Sequence, residues 1–436
     1  MFLIRICLLI SVCFLSMKAF ASMSLLEAYT LALKNDNILK SAEHEYNAAA
    51  TRVGQSRASL LPSIAGSARM THYDTNTYDE YDTTEYALSF QQPVINIASL
   101  YEYKQSKKIT DSAKSRYKIA EQDMMFRVVD SYIALLSAED NVTLAVSEKS
   151  AVSQQLSQAE KLYKAGVLSV TNVHDWQSEL DMVEYKLVDM QNERDIKYIE
   201  LESIIGVEPG KVSCTPREYD FVEEELQPIE YWQELSINNS KVIRYYKSQI
   251  DYYDMGVKKN YALNLPTLNL QASYTETDTN NYFKTERSTY KSIGAQINIP
   301  IFSGGSTYYR IKESQESYQK ALYDYRSALA DTKKRVKESY LQVYGLKSQI
   351  KALLRLAESN KISLESNNKS FAAGETTLVD VVTAQKNLYS TLNSLSNAKY
   401  DYYRYRVKLL LDAGVLSEAD INNLNTIFVN ECEENK

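Results

Sequence analysis

The sequence predicts a mainly α-helical protein in which a repeat, made of a helix, two β-strands and a long helix, occurs twice. One observation is a shortage of turn-forming residues, since the 436 residues include only 12 Gly and 7 Pro. Another is that long runs, such as 94–165 and 167–205, contain neither residue. A chain so poor in Gly and Pro must form long uninterrupted elements, which excludes a many-stranded sandwich and an α/β fold with frequent turns.

The N-terminal segment 1–21 has the pattern of a secretory signal peptide. Arg5 stands near the start, an apolar run extends over 6–15, and the segment ends in Ala19-Phe20-Ala21. Signal peptidase accepts this arrangement of small residues, and the apolar run is shorter than the roughly 20 residues that a membrane-spanning helix needs. We therefore expect secretion and cleavage after Ala21.

The rest of the chain shows an internal duplication. Pro62 recurs as Pro266 at an offset of 204, and Gly166 recurs as Gly374 at an offset of 208, with similar neighbours in each case. A nearly constant offset over this length indicates a duplicated structural unit. The predicted divisions are a first repeat over 22–206, a linker over 207–228, a second repeat over 229–414 and a C-terminal tail over 415–436.

Each repeat opens with a helical stretch, predicted over 24–60 and 229–261, and closes with long amphipathic runs. Apolar residues in these runs recur at helical spacing rather than at every second position. A helix of about 65 residues would be about 100 Å long. Such helices form rods or coiled coils, so an ordinary filamentous coiled coil is an alternative.

Between the helices of each repeat lie two segments that alternate apolar and polar residues. Leu268, Leu270, Ala272 and Tyr274, for example, are separated by polar side chains. Their length fits a tilted membrane-spanning strand, although a small soluble sheet covered by helices has the same pattern. Four strands cannot close a barrel, and an open edge in lipid leaves backbone groups unpaired. Three copies would supply twelve strands, a sensible closed barrel.

No catalytic or cofactor site is predicted. The three His residues, His44, His72 and His174, lack metal-ligand spacing, and no phosphate-binding loop or nucleophile elbow occurs. The net charge of −7 disfavours nucleic acid as a partner. We therefore expect neither an enzyme nor a metal or cofactor.

Two motifs give the chain a resemblance to the TolC-type family of outer-membrane efflux and secretion ducts. The sequence 299–305, IPIFSGG, resembles the family's strand-to-helix junction, and 374–382, GETTLVDVV, resembles its turn at the periplasmic helix tips. The resemblance covers about residues 24–416. It assigns the junctions to Pro93, Pro300, Gly304 and Gly305, and the tip turns to Gly166, Gly374 and Thr377.

The resemblance implies a homotrimer in the outer membrane of a Gram-negative bacterium. It would contain a twelve-stranded barrel in the lipid, a long α-helical tunnel in the periplasm, and equatorial segments formed by the linker and the tail. Such a duct is passive and works with a periplasmic adaptor and an inner-membrane transporter. The cargo, drugs or type I secreted proteins, stays open. The rival functions are a periplasmic coiled-coil adaptor and a diffusion porin.

Asp380 is the residue that the resemblance places at the pore constriction, where three carboxylates would face one another. A carboxylate ring acts as a cation-selective filter. Thr377 and Asp380 also have the spacing of a capping box, a purely structural role. Better-known family members carry a second Asp where this chain has Thr383, and the repeat mate of Thr383 is Asp175.

The family's equatorial segments also hold the two cysteines of the mature chain, Cys214 and Cys432. Because disulfides form in the periplasm, a Cys214–Cys432 bridge is one prediction. Two unpaired thiols are the alternative.

Overall fold

The computed structural model describes residues 23–74, 76, 80–210, 212, 225–281 and 284–433. The predicted signal peptide and most of the predicted linker lie outside the described residues. The side chains of 280, 281, 284, 285 and 429–433 are not described either.

The elements follow the predicted order twice. The first series is α1 (Leu25–Asn35), α2 (Asn37–Ala58), β1 (Ser63–Tyr73), β2 (Tyr81–Ile95), α3 (Ile97–Lys164) and α4 (Val170–Ile205). The second series is α5 (Ile229–Asn239), α6 (Lys241–Ala262), β3 (Thr267–Asn281), β4 (Lys284–Asn298), α7 (Ser306–Ala372) and α8 (Leu378–Asp412), followed by α9 (Glu418–Glu433). The helix–strand–strand–long helix repeat is thus confirmed.

The opening helix of each repeat differs from the prediction, because it is broken into two. At the first break, Asp36 donates its N–H to the Ala32 carbonyl at 2.8 Å and ends α1. Its carboxylate accepts from the N–H of Leu39 at 2.6 Å and forms an ion pair with Arg127 at 3.0 Å. An Asp that caps a new helix in this way interrupts the old one. Ser240 takes the corresponding place between α5 and α6.

The helix ends that dock against these breaks require glycine. Gly414 follows α8 with φ of 73°, and a Cβ there would stand 2.7 Å from the Cα of Ser240. Left-handed backbone and close approach both exclude a larger residue. The break at Ser240 and the helix end at Gly414 therefore pack directly against each other. The predicted C-terminal tail beyond Gly414 contains α9.

The four strands form one antiparallel sheet in the order β1-β2-β3-β4. The two repeats join in it where β2 pairs with β3, for instance Leu88 with Tyr274. Many of the apolar strand side chains are exposed, including Ile64, Ile293 and Ile297. An exposed apolar area of this extent marks a site that contacts lipid or another protein surface.

Two compact units are present. The sheet belongs to the unit of 41–119 and 241–331, in which Arg116 pairs with Glu45 at 2.6 Å and Lys108 with Asp251 at 3.1 Å.

The other unit comprises the described residues of 1–40, 120–240 and 332–436. Its core includes Val128, Tyr132, Leu135 and Leu136, all fully buried at the predicted helical spacing. The hydroxyl of Tyr132 donates to the carbonyl of Met23 at 3.0 Å, so the largest of these side chains has its polar atom satisfied. Within the described residues, no helix is both long and apolar enough to cross a membrane.

Candidate functional site: the two helical tips

The two tips are the turns that join α3 to α4 and α7 to α8, and they share one backbone design. Gly166 and Gly374 have φ of 74° and 76°. In the first tip the N–H of Val167 donates to the carbonyl of Leu162 at 2.9 Å, and in the second the N–H of Glu375 donates to that of Ser370 at 2.9 Å. These bonds close a helix C-terminus around a left-handed residue. Both tips therefore end their first helix in the same way.

A buried cluster below the turns holds both hairpins together. Trp176 of α4 is its largest member and is 1% exposed. Leu378 and Val381 bring the first turn of α8 into the same cluster, and Val152 and Leu156 bring in α3. Because protein cores are close-packed, the first turn of α8 has a fixed position relative to α4.

Asp380 occupies the third position of α8, and its carboxylate is fixed by hydrogen bonds. Oδ2 accepts from the backbone N–H of Thr377 at 3.0 Å, from the Thr377 hydroxyl at 2.5 Å and from the Thr376 hydroxyl at 2.8 Å. The capping-box bond from the helix N-cap is therefore present.

These bonds also set the protonation state. The hydrogen bond from the Thr377 side chain, followed by those from the Thr376 side chain and the Thr377 backbone, lowers the pKa of Asp380 below its usual value. The side chain is exposed, so a negative charge stands on the surface of the second tip at neutral pH.

The other residues named for the pore do not repeat this arrangement. Thr383 is exposed, and its hydroxyl donates back to the carbonyl of Val379 at 2.7 Å. Asp175 is exposed on α4. In the first tip the N-cap Ser169 makes no side-chain cap, and Asn172 stands at the position that corresponds to Asp380. Among the described residues of the two tips, hydrogen bonds of this kind orient the carboxylate of Asp380.

The predicted strand-to-helix junctions lie at the ends of β2 and β4. Pro93 pairs with Asn269 just before a register irregularity that ends β2, as expected of a residue without an N–H. Pro300 follows β4, and Gly304 and Gly305 have φ of 62° and 82° directly before α7.

An ion pair that the sequence analysis missed links the two hairpins. Nζ of Lys386 on α8 lies 2.6 Å from Oε2 of Glu179 on α4, whose side chain is 9% exposed. Glu179 stands between Trp176 and Val183 on the buried face of α4. An acidic residue at helical spacing within an apolar stripe is a signal for a buried partner, and the heptad pattern alone did not reveal it.

A family model described as "Outer membrane efflux protein" matches residues 28–207 and 232–414. Since the match covers most of the chain, it decides the family. The chain belongs to the outer membrane efflux protein family. The resemblance to TolC-type ducts, the channel fold and the outer-membrane location are thereby confirmed.

Individual members of this family align along nearly the whole chain. The alkaline protease secretion protein AprF of Pseudomonas aeruginosa is 27% identical over 94% of this chain and 88% of its own. The outer membrane protein TolC of Vibrio cholerae is 28% identical over 92% of this chain and 93% of its own. The crystal structure of the CmeC outer membrane channel of Campylobacter jejuni has a TM-score of 0.79 and 18% identity, and the alignment covers 95% of this chain and 91% of that structure. At this identity the structural similarity shows the fold alone.

Membership of the family makes this protein an outer-membrane exit channel. Within the described residues, no group of three or more His, Cys, Asp or Glu side chains is arranged to hold a metal ion. Cys214 lies outside the described residues, and only the backbone of Cys432 is described, in α9. The bridge between them stays a prediction.

Proposed function

We propose that three copies of this chain form a passive exit duct of a tripartite export system. The observation that carries the proposal is the sheet, whose outer strands β1 and β4 have no partner within the described residues of the chain. Unpaired strand edges cannot remain exposed in lipid. If β1 of one copy pairs with β4 of the next, three copies give twelve strands and no edge.

The partners that fit this duct are a periplasmic adaptor and an inner-membrane transporter, which would supply energy and cargo. The two tips offer them different surfaces. Val167 and Val170 are exposed at the first tip, whereas Glu375 and Asp380 are exposed at the second. A periplasmic adaptor role for this chain is disfavoured, because the paired strands would expose their apolar side chains to water in the periplasm.

Asp380 is proposed as the selectivity residue of the periplasmic entrance. In a trimer the three copies would place three oriented carboxylates at one level, which attract cations and repel anions. Because the cap occupies Oδ2, the other oxygen is available to the ions. A single ring would bind cations less tightly than the double ring of members that carry a second Asp.

The cargo that we propose is a secreted protein, with small molecules as the second candidate. Its support is the similarity over nearly the full length to AprF, which is named for protease secretion. The transporter and adaptor present in the cell would then decide whether drugs also leave through the duct.

A deletion strain tests the cargo, and the purified protein tests the assembly. We expect the deletion to leave a secreted protein inside the cells, and the plasmid-borne gene to restore it to the medium. Increased drug sensitivity with unchanged secretion would support the second candidate and contradict the first. Native mass spectrometry in detergent should give a trimer, and a monomer would contradict the proposed duct.

A further inference from the structure

A polar cavity lies among the helices that carry the sheet. Its volume is about 380 Å³, and residues of α2, α3 and α6 line it together with Ser59, directly after α2. The hydroxyls of Ser56 and Ser106 lie 2.6 Å apart, and Gln105 donates to the carbonyl of Tyr252 at 3.4 Å. These contacts join α3 to both neighbouring helices within one compact unit, so the walls of the cavity are held in place.

Among the described residues, three charged side chains line the cavity, namely Arg52 of α2, Glu102 of α3 and Lys259 of α6. None of them forms an ion pair with another described residue, whereas Lys108 of α3 pairs with Asp251 of α6 at 3.1 Å. Two cations and one carboxylate give the lining a net charge of +1. A ligand with one negative charge would neutralise it.

Arg52 and Tyr252 act on each other across the cavity. Burial, followed by the charge of Tyr253, raises the pKa of the Tyr252 hydroxyl, and the positive charge of Arg52 opposes this rise. Because its pKa is above the usual value, this hydroxyl keeps its proton at neutral pH and is a donor. Gln55 and Ser59 add an amide and another hydroxyl to the lining. A guanidinium, an ammonium and neutral donors are the groups that bind the oxygens of a phosphate.

The cavity lies where the helices meet the sheet. Ser59 precedes β1 by four residues and Glu102 follows β2 by seven, and at 1.5 Å per helical residue Glu102 is about 10 Å from the end of β2. At the same ends of the strands, Ile64 and Ile297 are 70% and 65% exposed, so the apolar face of the sheet reaches this level. Because the headgroup layer of a bilayer is about 5–8 Å thick, lipid in contact with that face would bring its headgroups to the cavity.

We propose that the cavity binds the phosphate group of an anionic phospholipid. A phosphodiester carries one negative charge, which neutralises the net charge of the lining, and its oxygens accept hydrogen bonds from Arg52, Lys259 and Tyr252. Glu102 accepts from a headgroup hydroxyl, such as that of glycerol. Basic pockets between helices of membrane proteins bind lipid headgroups in this way. The inference goes beyond the proposed duct, because it concerns the surrounding lipid rather than the cargo and does not depend on the number of copies.

Lipid binding to the purified full-length protein tests the proposal. The protein in an uncharged detergent is titrated with phosphatidylglycerol, and bound lipid is counted by native mass spectrometry. We expect Arg52→Gln and Lys259→Gln each to weaken binding by about tenfold, because each removes a charge-assisted hydrogen bond, and the double variant to lose most of it. Arg57→Gln on α2 and Lys247→Gln on α6 are the matched controls, since both remove an exposed positive charge outside the cavity lining. They should bind lipid as the unmodified protein does.

Two further probes define the ligand. Phosphatidylethanolamine has the same phosphate but no net charge, so it should bind less tightly than phosphatidylglycerol, and equal affinity would overturn the charge match. Glycerol phosphate, followed by calorimetry, should bind much more weakly, because it lacks the acyl chains that contact the apolar sheet. If it binds as tightly as phosphatidylglycerol and Arg52→Gln abolishes that binding, the site takes a soluble phosphate ester and the lipid source is overturned.

The outcomes also separate this site from the proposed duct. If the Arg52 and Lys259 variants hold as much phosphatidylglycerol as the unmodified protein, the site is wrong and the duct stands. If the protein is a monomer but loses lipid in these variants, the duct is contradicted and the site stands. Circular dichroism of each variant shows that helix content is retained, so that a folding defect is not read as a loss of binding.

Discussion

The two tips of this chain have the same backbone and different chemistry. Both end a long helix with a left-handed glycine, and both rest on the cluster around Trp176. The second tip then places Asp380 in a network of three hydrogen bonds, whereas the first has Asn172 at the corresponding position and an uncapped Ser169. The two repeats therefore share the geometry of the turn but differ in the residues that follow it.

Removing the shared support should have the largest effect and should affect both tips. Trp176→Ala leaves a cavity below the two turns, and we expect a loss of about 3–5 kcal/mol in stability. Limited proteolysis should then cut both turns faster than in the unmodified protein. Tyr163→Ala, at a half-exposed side chain on the first tip, is the control. Faster cutting at one tip alone would show that the tips do not share their support.

Replacing Gly166 or Gly374 should lower stability less than Trp176→Ala does, and by the same amount at each tip. Gly166→Ala and Gly374→Ala meet no atom within 4 Å of the new Cβ, so only the left-handed backbone opposes them, at about 1–2 kcal/mol each. Protease protection of each turn measures the cost. A markedly larger loss at one tip would contradict the equivalence of the two turns.

The charge of the second tip should affect ion selectivity more than stability. We expect Asp380→Ala to raise anion conductance in planar bilayers, because the carboxylate ring is removed. Asp380→Asn removes the charge but keeps the shape of the side chain, and it should raise anion conductance as Asp380→Ala does. In the first tip Asn172→Asp places a carboxylate at the corresponding position, and the change in selectivity it causes reports whether that tip also faces the ion path. Unchanged selectivity in both Asp380 variants would reject the filter.

The smallest effect expected is that of mild acidification. Hydrogen bonds lower the pKa of Asp380 in the folded chain, so the stabilisation from its charged form is present above the unfolded value of about 4. It is lost only as the pH falls through the lower folded value. Cation selectivity, measured as a reversal potential, should therefore be constant from pH 7 down to about pH 4. Loss near pH 6 would mean that repulsion between the three carboxylates outweighs the cap.

Much of this architecture was readable from residue placement. The absence of Gly and Pro over 94–165 predicted α3, and Gly166 and Gly374 predicted both tips. The strands were predicted by alternation. The breaks at Asp36 and Ser240 were not, because a single Asp or Ser in a helical pattern does not by itself show that a helix ends there.

Local periodicity and turn chemistry act within a few residues, so the sequence by itself determined the helices, the strands and their order in each repeat. Which side chains meet across helices depends on packing between distant segments, and only the tertiary structure decided it. The Lys386–Glu179 pair and the cluster that joins both tips belong to this second group. In each case the physical reason is that burial and facing direction are properties of the packed chain rather than of the local sequence.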